Sequence, residues 1–459
     1  MVTKQRKSIR GVTIGLKTFP GGVHSHDNKE YSRSAAIEPM PIPAKVYVHL
    51  SQHIGAPAKA IVKPGDEVLA GQKIAEAGGF VSIPMHAPIS GKVTKIASYP
   101  HPAGTTGTAI EITGDGEDKW VELTDDSGYG CLEVDEMKKR ISEAGICGMG
   151  GAGFPTHVKL SPPADKPIDT VILNGVECEP YLTADYRLML EQPEAILEGL
   201  KLIMKIVGAK QGVIGIEANK PDCIKLLRNL TADDAAIRID ALKLKYPQGA
   251  EKQLIYACTK RKVPNKGGLP MAVGVVVQNV GTAIAVYEAI RYQKPLIKRV
   301  ITVSGKIVKN PKNIKARIGT LYSELLDFCG GTTEDISKII SGGPMMGFAI
   351  SDLDTPMVKG SSGLLLFNKK EAAKDAEHTC VRCGLCVEVC PMNLIPSLIV
   401  KNAKYQDWDL VEKYGVMDCM KCGSCSFICP AQIKLIQWID IGKLEVGKRM
   451  RARTQLGKA

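Results

Sequence analysis

The sequence predicts a multidomain α/β protein in which a β-rich domain, an α/β domain, a small α+β module and a cysteine-rich helical domain follow one another. Three observations predict this order. Short β-like runs broken by Gly and Pro fill residues 45–112, helical and strand-like segments alternate over residues 134–265, and eight of the fourteen cysteines crowd near the C-terminus. A chain of 459 residues is long enough for several domains of about 100–200 residues each.

Composition indicates a globular protein without a membrane span. Hydrophobic residues make up 44% of the chain, and the longest apolar run, residues 271–287, is interrupted by Gln278 and Asn279. The N-terminus offers no signal peptide, so we expect a cytoplasmic chain whose thiols stay reduced. The net charge of +12 suits phosphate-bearing cofactors, an acidic redox partner or an anionic membrane surface. Aromatic residues are 5% and are not interleaved with basic runs, so we expect no nucleic-acid binding.

Residues 1–115 are expected to form a lead-in followed by a barrel-sandwich domain. Residues 62–68 (VKPGDEV) and 87–93 (APISGKV) resemble the two halves of lipoyl and biotinyl carrier domains. Those carriers present a modifiable lysine on the hairpin between the halves. Here the hairpin region, residues 78–86, reads GGFVSIPMH and contains no lysine. We therefore interpret this domain as a structural barrel-sandwich and not as a swinging arm.

Residues 116–285 read as an α/β layer that carries a glycine-rich loop. Val134, Met137, Ile141 and Ala144 recur at helical spacing and predict a helix that ends at Gly145. TVILN and GVIGIEA read as buried strands, and AILEGLKLIMKIVG and PDCIKLLRNL as helices. The loop that follows the first helix reads GMGGAGFPTHVK over residues 148–159. It is either a phosphate site, to which Lys159 adds a charge, or a tight structural turn.

The C-terminal cysteines form two copies of C-x2-C-x2-C-x3-C-P, the run that holds paired [4Fe–4S] clusters. Zinc ribbons and disulfides are the alternatives, but a zinc ribbon uses two CxxC pairs and needs neither further cysteines nor the prolines. In such pairs the fourth cysteine of each run ligates the other cluster. That assigns one cluster to Cys380, Cys383, Cys386 and Cys429, and the second to Cys419, Cys422, Cys425 and Cys390.

The two C-terminal domains are separated by a charged connector. Residues 286–367 contain short strands and Gly-rich turns that suggest a small α+β module, and residues 368–459 hold the cysteine runs and a basic tail. An apolar helical face runs through Ile433, Leu435, Ile436, Trp438, Ile439 and Ile441. This face either docks on a membrane partner or lipid headgroups, or packs on the cluster domain.

Four segments of the α/β domain resemble the flavin-binding, NADH-oxidising subunit of respiratory complex I. They are the glycine loop, N-x-x-E-x-E-P at residues 174–180, YPQGAE at residues 246–251 and QNVGT at residues 278–282. Position by position, the resemblance implies FMN contacts from Gly148, Gly150, Gly151, Lys159, Asn174, Glu177, Tyr246, Gly249, Gln278, Asn279 and Thr282. It implies dinucleotide contacts from Phe154, Glu179 and Glu251, and no catalytic side chain, since hydride transfer to flavin needs no general base.

The order of modules along the chain resembles the C subunits of Rnf complexes. This resemblance implies an FMN/NADH-binding domain at residues 116–285, a β-grasp-like SLBB domain at residues 286–367 and a ferredoxin-like domain with two [4Fe–4S] clusters at residues 368–459. It also implies a ferredoxin:NAD+ oxidoreductase that exchanges hydride between NAD(H) and FMN. The expected partners are membrane subunits, which translocate Na+ or H+, and indirectly ferredoxin. The expected location is the cytoplasmic face of the membrane, with peripheral attachment.

Two further interpretations stay open at this point. A soluble NADH-dependent cobalamin reductase has its modules in a similar order. The other interpretation is a flavin-less electron-wiring subunit. It is supported by Val176 and Gly281, which depart from the residues common in the complex I family.

Overall fold

In the computed structural model, which describes residues 15–372 and 376–456, the lead-in does not form a domain of its own. It crosses the α/β domain, where Lys17 pairs with Leu242 and Val23 with Tyr246 in single β-bridges. A 3-10 turn, Lys29–Tyr31, and strand β1, Ile37–Pro39, follow. The lead-in thus contacts domains that lie later in the chain than the barrel that directly follows it.

The N-terminal domain is a small two-sheet barrel, as the paired half-motifs predict. Its strands are β2 Lys45–His49, β3 Lys59–Ala60, β4 Glu67–Val68, β5 Lys73–Glu76, β6 Met85–His86, β7 Gly91–His101 and β8 Thr105–Gly114. One sheet has the order β2-β8-β7-β4 and the other β3-β5-β6. Val46, Ile74, Met85 and Ile110 are buried between them.

The second domain is a four-stranded parallel sheet covered by helices on both faces. Its elements are α1 Val134–Glu143, α2 Thr156–Lys159, β9 Thr170–Asn174, α3 Ala184–Glu191, α4 Pro193–Val207, β10 Gln211–Glu217, α5 Pro221–Leu230, β11 Ile237–Leu242, α6 Glu251–Thr259, β12 Val275–Asn279 and α7 Val280–Tyr292, with 3-10 turns at Tyr129–Cys131 and Pro270–Val273. The predicted helices and strands are confirmed, and Gly145, with φ of 63°, follows α1.

The strand order β11-β10-β9-β12 creates a topological switch between β9 and β12. From β9 the chain builds outward through β10 and β11, and then returns to place β12 on the other side of β9. Asn174 lies opposite Asn279 at the carboxyl ends of these two strands. Ligands of open α/β sheets bind in the crevice at such a switch point.

The third domain is a mixed six-stranded sheet with one helix. It contains β13 Lys298–Ser304, β14 Lys312–Arg317, α8 Tyr322–Phe328, β15 Lys338–Ser341, β16 Phe348–Ile350 and β17 Gly363–Phe367. The order is β1-β14-β13-β17-β15-β16, so β1 from the lead-in forms its edge. The expected boundary of residues 286–367 therefore omits one strand, because backbone pairing joins segments that are distant in sequence.

The cluster domain is built from two copies of one loop-and-helix unit. Its helices are α9 Lys369–Ala372, α10 Leu385–Glu388, α11 Pro396–Lys404, α12 Trp408–Lys413, α13 Ser424–Phe427 and α14 Leu435–Leu456, with a 3-10 turn at Val416–Asp418. Matching positions of the two cysteine runs share positive φ angles, at Arg382 and Lys421 and again at Gly384 and Gly423. The sequence repeat is therefore also a repeat of backbone conformation.

The apolar face at residues 433–441 packs mainly on the cluster domain. Ile433, Leu435 and Ile439 are buried in its core, whereas Ile441 is exposed. Over the two stretches that the structure describes, no helix combines the length and the apolar content that crossing a membrane requires.

The close packing of α4 on α7 gives a test of the fold. A Cβ at Gly199 would lie 2.0 Å from the Ala283 carbonyl oxygen, so Gly199→Ala must push the helices apart. We expect the variant to lose about 1–3 kcal/mol of unfolding free energy, measured by denaturant titration. The control is Gly130→Ala, where no atom lies within 4 Å of the new methyl group. Equal stability of the two variants would contradict this packing.

Candidate functional site

The glycine loop is held against the end of β12. Its base is closed where the Gly148 N–H donates to the Phe154 carbonyl at 2.8 Å. Gly150, with φ of 71°, lies so close to Asn279 that a Cβ would be 2.9 Å from the Asn279 Nδ2. No atom lies within 4 Å of where a Cβ at Gly151 would stand. One side of the loop is thus packed and the other is open.

The first turn of α7 faces this loop. Asn279 caps the helix, since its Oδ1 accepts a hydrogen bond from the Gly281 N–H at 2.8 Å. The Thr282 Oγ1 accepts one from the Met149 N–H at 2.9 Å. The unpaired N–H groups at a helix start favour anions, and glycines let a backbone approach them closely. The predicted phosphate site of the glycine loop therefore lies beside a helix start.

Lys159 stands at the end of α2, directly after the loop. Its Nζ donates to the Glu251 Oε1 at 2.7 Å, which connects it to the first residue of α6. Both side chains are partly exposed. A partly exposed ion pair contributes little to stability, so a phosphate can compete for the ammonium group at small cost. The structure thus brings Lys159 and Glu251 together.

The carboxyl ends of β9 and β12 present polar side chains to the switch point. The Asn174 Nδ2 donates to the Gly249 carbonyl at 2.8 Å, which ties the YPQGAE loop to β9. Gln278 is buried, and its Nε2 has no hydrogen-bond partner among the described residues. A buried unpaired donor is costly, so this amide is available to a group that binds at the site. Thr156 presents a similar buried, unpaired hydroxyl after the loop.

A cluster of charged side chains lies next to these amides. The Glu177 carboxylate accepts hydrogen bonds from the backbone N–H groups of Asp185 at 2.7 Å and Tyr186 at 3.2 Å. The Asp185 Oδ2 accepts one from the Asn279 Nδ2 at 2.7 Å. Burial, and then the charge of Glu177, raise the pKa of Asp185 above its usual value. Arg299 supplies the largest opposing charge to Asp185. The Lys220 Nζ donates to the Val176 carbonyl at 2.7 Å and pairs with Glu217 at 3.7 Å.

The sequence interpretation missed Asp185, Lys220 and the hydroxyl of Thr156. Asp185 stands in the first turn of a helix, a position where an acidic residue usually serves the helix dipole. Lys220 precedes a helix within the α/β layer and has no motif around it. Neither residue carried a sequence signal that separates it from ordinary helix-end residues.

Glu179 lies beside Tyr246, another predicted site residue. Its carboxylate accepts hydrogen bonds from the backbone N–H groups of Met345 at 3.0 Å and Met346 at 2.9 Å, in the third domain. Burial raises the pKa of Glu179 to about 7. Tyr246 is also buried, and its hydroxyl donates to the Cys422 carbonyl at 2.8 Å. Both residues thus reach the border between the α/β domain and its neighbours, and their predicted ligand contacts stay predictions.

The eight thiols of the cysteine runs divide into two neighbourhoods. Burial, followed by the charges of Cys422, Cys419 and Cys390, raises the pKa of Cys425 to about 12. Burial likewise raises the pKa of Cys386, and there the neighbouring thiols are Cys429 and Cys380. The fourth cysteine of each run thus lies beside the thiols of the other run, as crossed ligation requires.

No group of three or more Cys, His, Asp or Glu in residues 15–372 and 376–456 has the arrangement of a single-ion metal site. The assignment of the eight cysteines to two clusters therefore depends on their spacing and their two neighbourhoods.

Four protein-family models match the chain in the predicted order. They are the RnfC barrel sandwich hybrid domain at residues 17–117, the Nuo51 FMN-binding domain at residues 141–288, the SLBB domain at residues 300–349 and the 4Fe-4S dicluster domain at residues 379–433. The matches define the class of the protein, an electron-transfer protein with FMN and two [4Fe–4S] clusters as cofactors. They confirm the predicted fold class.

Relatives extend over nearly the whole chain. The C subunit of a proton-translocating ferredoxin:NAD+ oxidoreductase complex from Clostridium ljungdahlii is 50% identical, over 95% of this chain and 96% of that protein. The C subunit of an Na+-translocating ferredoxin:NAD+ oxidoreductase complex from Acetobacterium woodii is 46% identical, over 94% and 97%. The C subunit of an ion-translocating oxidoreductase complex from Rhodobacter capsulatus is 41% identical, over 98% and 87%. The chain belongs to this family, the C subunits of Rnf complexes.

The residues at the switch point fit FMN. The open side of the glycine loop at Gly151 and the partly exposed ammonium group of Lys159 are accessible to a phosphate. The unpaired Gln278 Nε2 offers a donor to a ring carbonyl, and Asn174 lies opposite Asn279 at the ends of β9 and β12. These groups thus offer contacts to both the phosphate and the polar ring of FMN.

Removing the Lys159 charge should weaken FMN binding. A hydrogen bond to a charged group contributes about 1.5–3 kcal/mol, so we expect the FMN dissociation constant of Lys159→Ala to rise at least about tenfold. Flavin fluorescence during titration of apo-protein measures it. The control is Lys166→Ala, a neighbouring exposed lysine. Unchanged FMN affinity in Lys159→Ala would refute the phosphate contact.

Crossed ligation gives a second test. Cys390→Ala should damage the cluster held by Cys419, Cys422 and Cys425 and leave the other intact, and Cys429→Ala should do the reverse. Iron and sulfide analysis with EPR of anaerobically reduced protein distinguishes the two clusters. If Cys390→Ala instead removes the signal that is lost in Cys383→Ala, each run holds its own cluster.

Proposed function

We propose that this protein is the peripheral NADH/FMN module of a membrane-bound Rnf complex. It exchanges hydride between NAD(H) and FMN and passes single electrons through two [4Fe–4S] clusters, to or from other subunits and ferredoxin. The observation that carries the proposal is the direct contact between the flavin domain and the cluster domain, where the Tyr246 hydroxyl donates to the Cys422 carbonyl. This contact joins the candidate flavin site to a candidate cluster.

The cofactors supply the redox chemistry, and the chain supplies placement. Flavin exchanges two electrons with nicotinamide and one at a time with iron–sulfur clusters. The glycine loop and Lys159 hold the phosphate end, while Gln278 and Asn174 orient the ring at the ends of β12 and β9. The open side of the loop at Gly151 leaves room for the dinucleotide next to Phe154, which is half-buried. Glu251, beside Lys159, is available to a ribose hydroxyl.

The contacts between domains support one order of the two clusters along the path of the electrons. Cys422 and Cys390 border the flavin domain, since Tyr246 contacts Cys422 and the Gln253 Nε2 donates to the carbonyl of Pro391 at 3.0 Å. Cys380 and Cys383 are exposed. The cluster of Cys419, Cys422, Cys425 and Cys390 is therefore next to the flavin, and the other cluster faces the external electron partner.

The partners follow from the family. The named relatives belong to complexes that translocate H+ or Na+, which supports membrane subunits as the partners of this chain and ferredoxin as a partner reached through them. The location is the cytoplasmic face, with peripheral attachment. The net charge of +12 supports docking on acidic partners or an anionic surface.

The anaerobically purified holo-protein should oxidise NADH with an artificial one-electron acceptor. Absence of this activity in protein with FMN bound would overturn the proposal. Purified protein without a flavin absorbance band would instead favour the electron-wiring role. Cobalamin reduction by the isolated chain, with no association with membrane subunits, would favour the cobalamin reductase.

A further inference from the structure

A cleft runs along α7 between the flavin domain and the third domain. One wall is a face of the helix on which Gly281, Ile284, Ala285 and Glu288 recur at helical spacing, and the opposite wall is the start of β13. The cleft holds about 590 Å³ of space, part of it open to solvent. Its lining, all within the described residues, includes none of those predicted to contact FMN or the dinucleotide. The cleft is therefore separate from the flavin site.

The charged side chains that line this cleft are mostly basic. They are Lys294, Lys298, Arg299 and Lys315, against one carboxylate, that of Glu288. Lys294 pairs with Glu288 at 2.6 Å. Across residues 15–372 and 376–456, no carboxylate forms an ion pair with the other three cations. Positive charge is therefore in excess in the cleft.

Strand register places two of these cations on one face of the sheet. Lys298 is opposite Arg317 in the antiparallel pair of β13 and β14, and Lys315 is two residues from Arg317 on the same strand. Burial, and then the charges of Arg317, Lys294 and Lys315, lower the pKa of Lys298 to about 8. Asp118 opposes this shift, but it pairs with Arg317. The two lysines thus repel each other, and an anion between them would remove the repulsion.

Arg299 is the most buried of the basic residues, with 5% of its surface exposed. Its Nε donates to the Ser361 carbonyl at 3.3 Å, and its Nη1 donates to the Met149 Sδ at 2.7 Å. Burial lowers the pKa of Arg299, and the charge of Asp185 opposes this shift although the two groups form no ion pair. A thioether is a weak acceptor, and a buried charge is costly unless it is paired. The guanidinium group therefore has unused capacity to bind an anion.

The inner end of the cleft lies against the glycine loop. Met149, which accepts from Arg299, belongs to that loop, and its N–H donates to the Thr282 Oγ1 at 2.9 Å. A Cβ at Gly281 would lie 3.4 Å from the Arg299 Nη1. The cleft thus ends at the loop that is predicted to hold FMN, without including the residues predicted to contact it.

We propose that this cleft is a second anion site that binds a phosphate group, with Arg299 at its inner end and Lys298 and Lys315 at its mouth. The planar guanidinium fork matches the oxygens of a phosphate, and the ammonium groups add charge without fixed direction. Three cations without an ion pair favour a doubly charged group over a single carboxylate. The site goes beyond the proposed function, since neither hydride nor electron transfer requires it.

The test is a titration of inorganic phosphate into the full-length holo-protein, with FMN and clusters loaded, by calorimetry at constant ionic strength. We expect saturable binding. Lys315→Met should weaken it at least about tenfold, the factor expected for one lost hydrogen bond to a charged group. Arg299→Lys should also weaken it, because the charge remains but the fork is lost.

Glu288→Gln provides a change in the opposite direction. It removes the one carboxylate of the lining and releases Lys294 from its ion pair, so phosphate should bind more tightly than in the unmodified protein. The control is Lys166→Met, an exposed lysine outside the cleft, which should keep the phosphate affinity. Unchanged NADH oxidation and flavin content in Lys315→Met and Glu288→Gln would show that these variants are folded.

Absence of saturable phosphate binding to the holo-protein would overturn the proposal. So would equal phosphate affinities in Lys315→Met, Glu288→Gln and Lys166→Met, or the same heat from chloride at the same ionic strength. Glycerol 3-phosphate in a parallel titration distinguishes the source of the group, since tighter binding than inorganic phosphate supports an ester and weaker binding supports the free ion. Failure of the unmodified holo-protein to oxidise NADH would instead refute the proposed function and leave the phosphate titration unaffected.

Discussion

The parallel pairing of β9 with β12 is the constraint on which the rest of the structure depends. It sets Asn174 opposite Asn279, and it brings together segments that are about a hundred residues apart in the sequence. The glycine loop is then docked on the start of α7 through the Met149 N–H and the Thr282 hydroxyl. Because the strand order reverses here, the crevice stays open, and the strand-end amides predicted to contact the flavin lie on its border.

An electron-transfer protein must also keep its cofactor-binding domains at a constant distance from one another. The lead-in contributes to this, since the Gly22 N–H donates to the Val389 carbonyl at 2.7 Å while Val23 pairs with Tyr246. Glu179 contacts the third domain at Met345 and Met346, and Tyr246 contacts the cluster domain. The residues at these borders are therefore hydrogen-bonded from one domain to the next, so each domain limits the movement of its neighbour.

Near the switch point, acidic and basic side chains of the protein balance one another's charge. Glu177 and Asp185 are neighbours, and Lys220 and Lys29 reach the same region through backbone carbonyls of residues 176, 179 and 182. Burial lowers the pKa of Lys29 and raises that of Asp185, so each charge depends on its partners. Hydrogen bonds and charges in a region of low dielectric interact strongly, so this group of side chains holds the backbone around the switch point in place.

Local sequence signals were enough to predict the cofactor classes, the order of the modules and most of the helices and strands. These signals are eight cysteines at cluster spacing, a glycine loop after a helix, and apolar periods such as TVILN at β9. Only the folded chain shows that β1 completes the third domain, that Asp185 contacts Asn279 at the switch point, and that Glu179 contacts the third domain. The same holds for the contact of the barrel with the glycine loop, where the Ile54 N–H donates to the Gly153 carbonyl. These features depend on contacts between distant segments, which no local pattern encodes because packing and strand pairing are set by the whole chain.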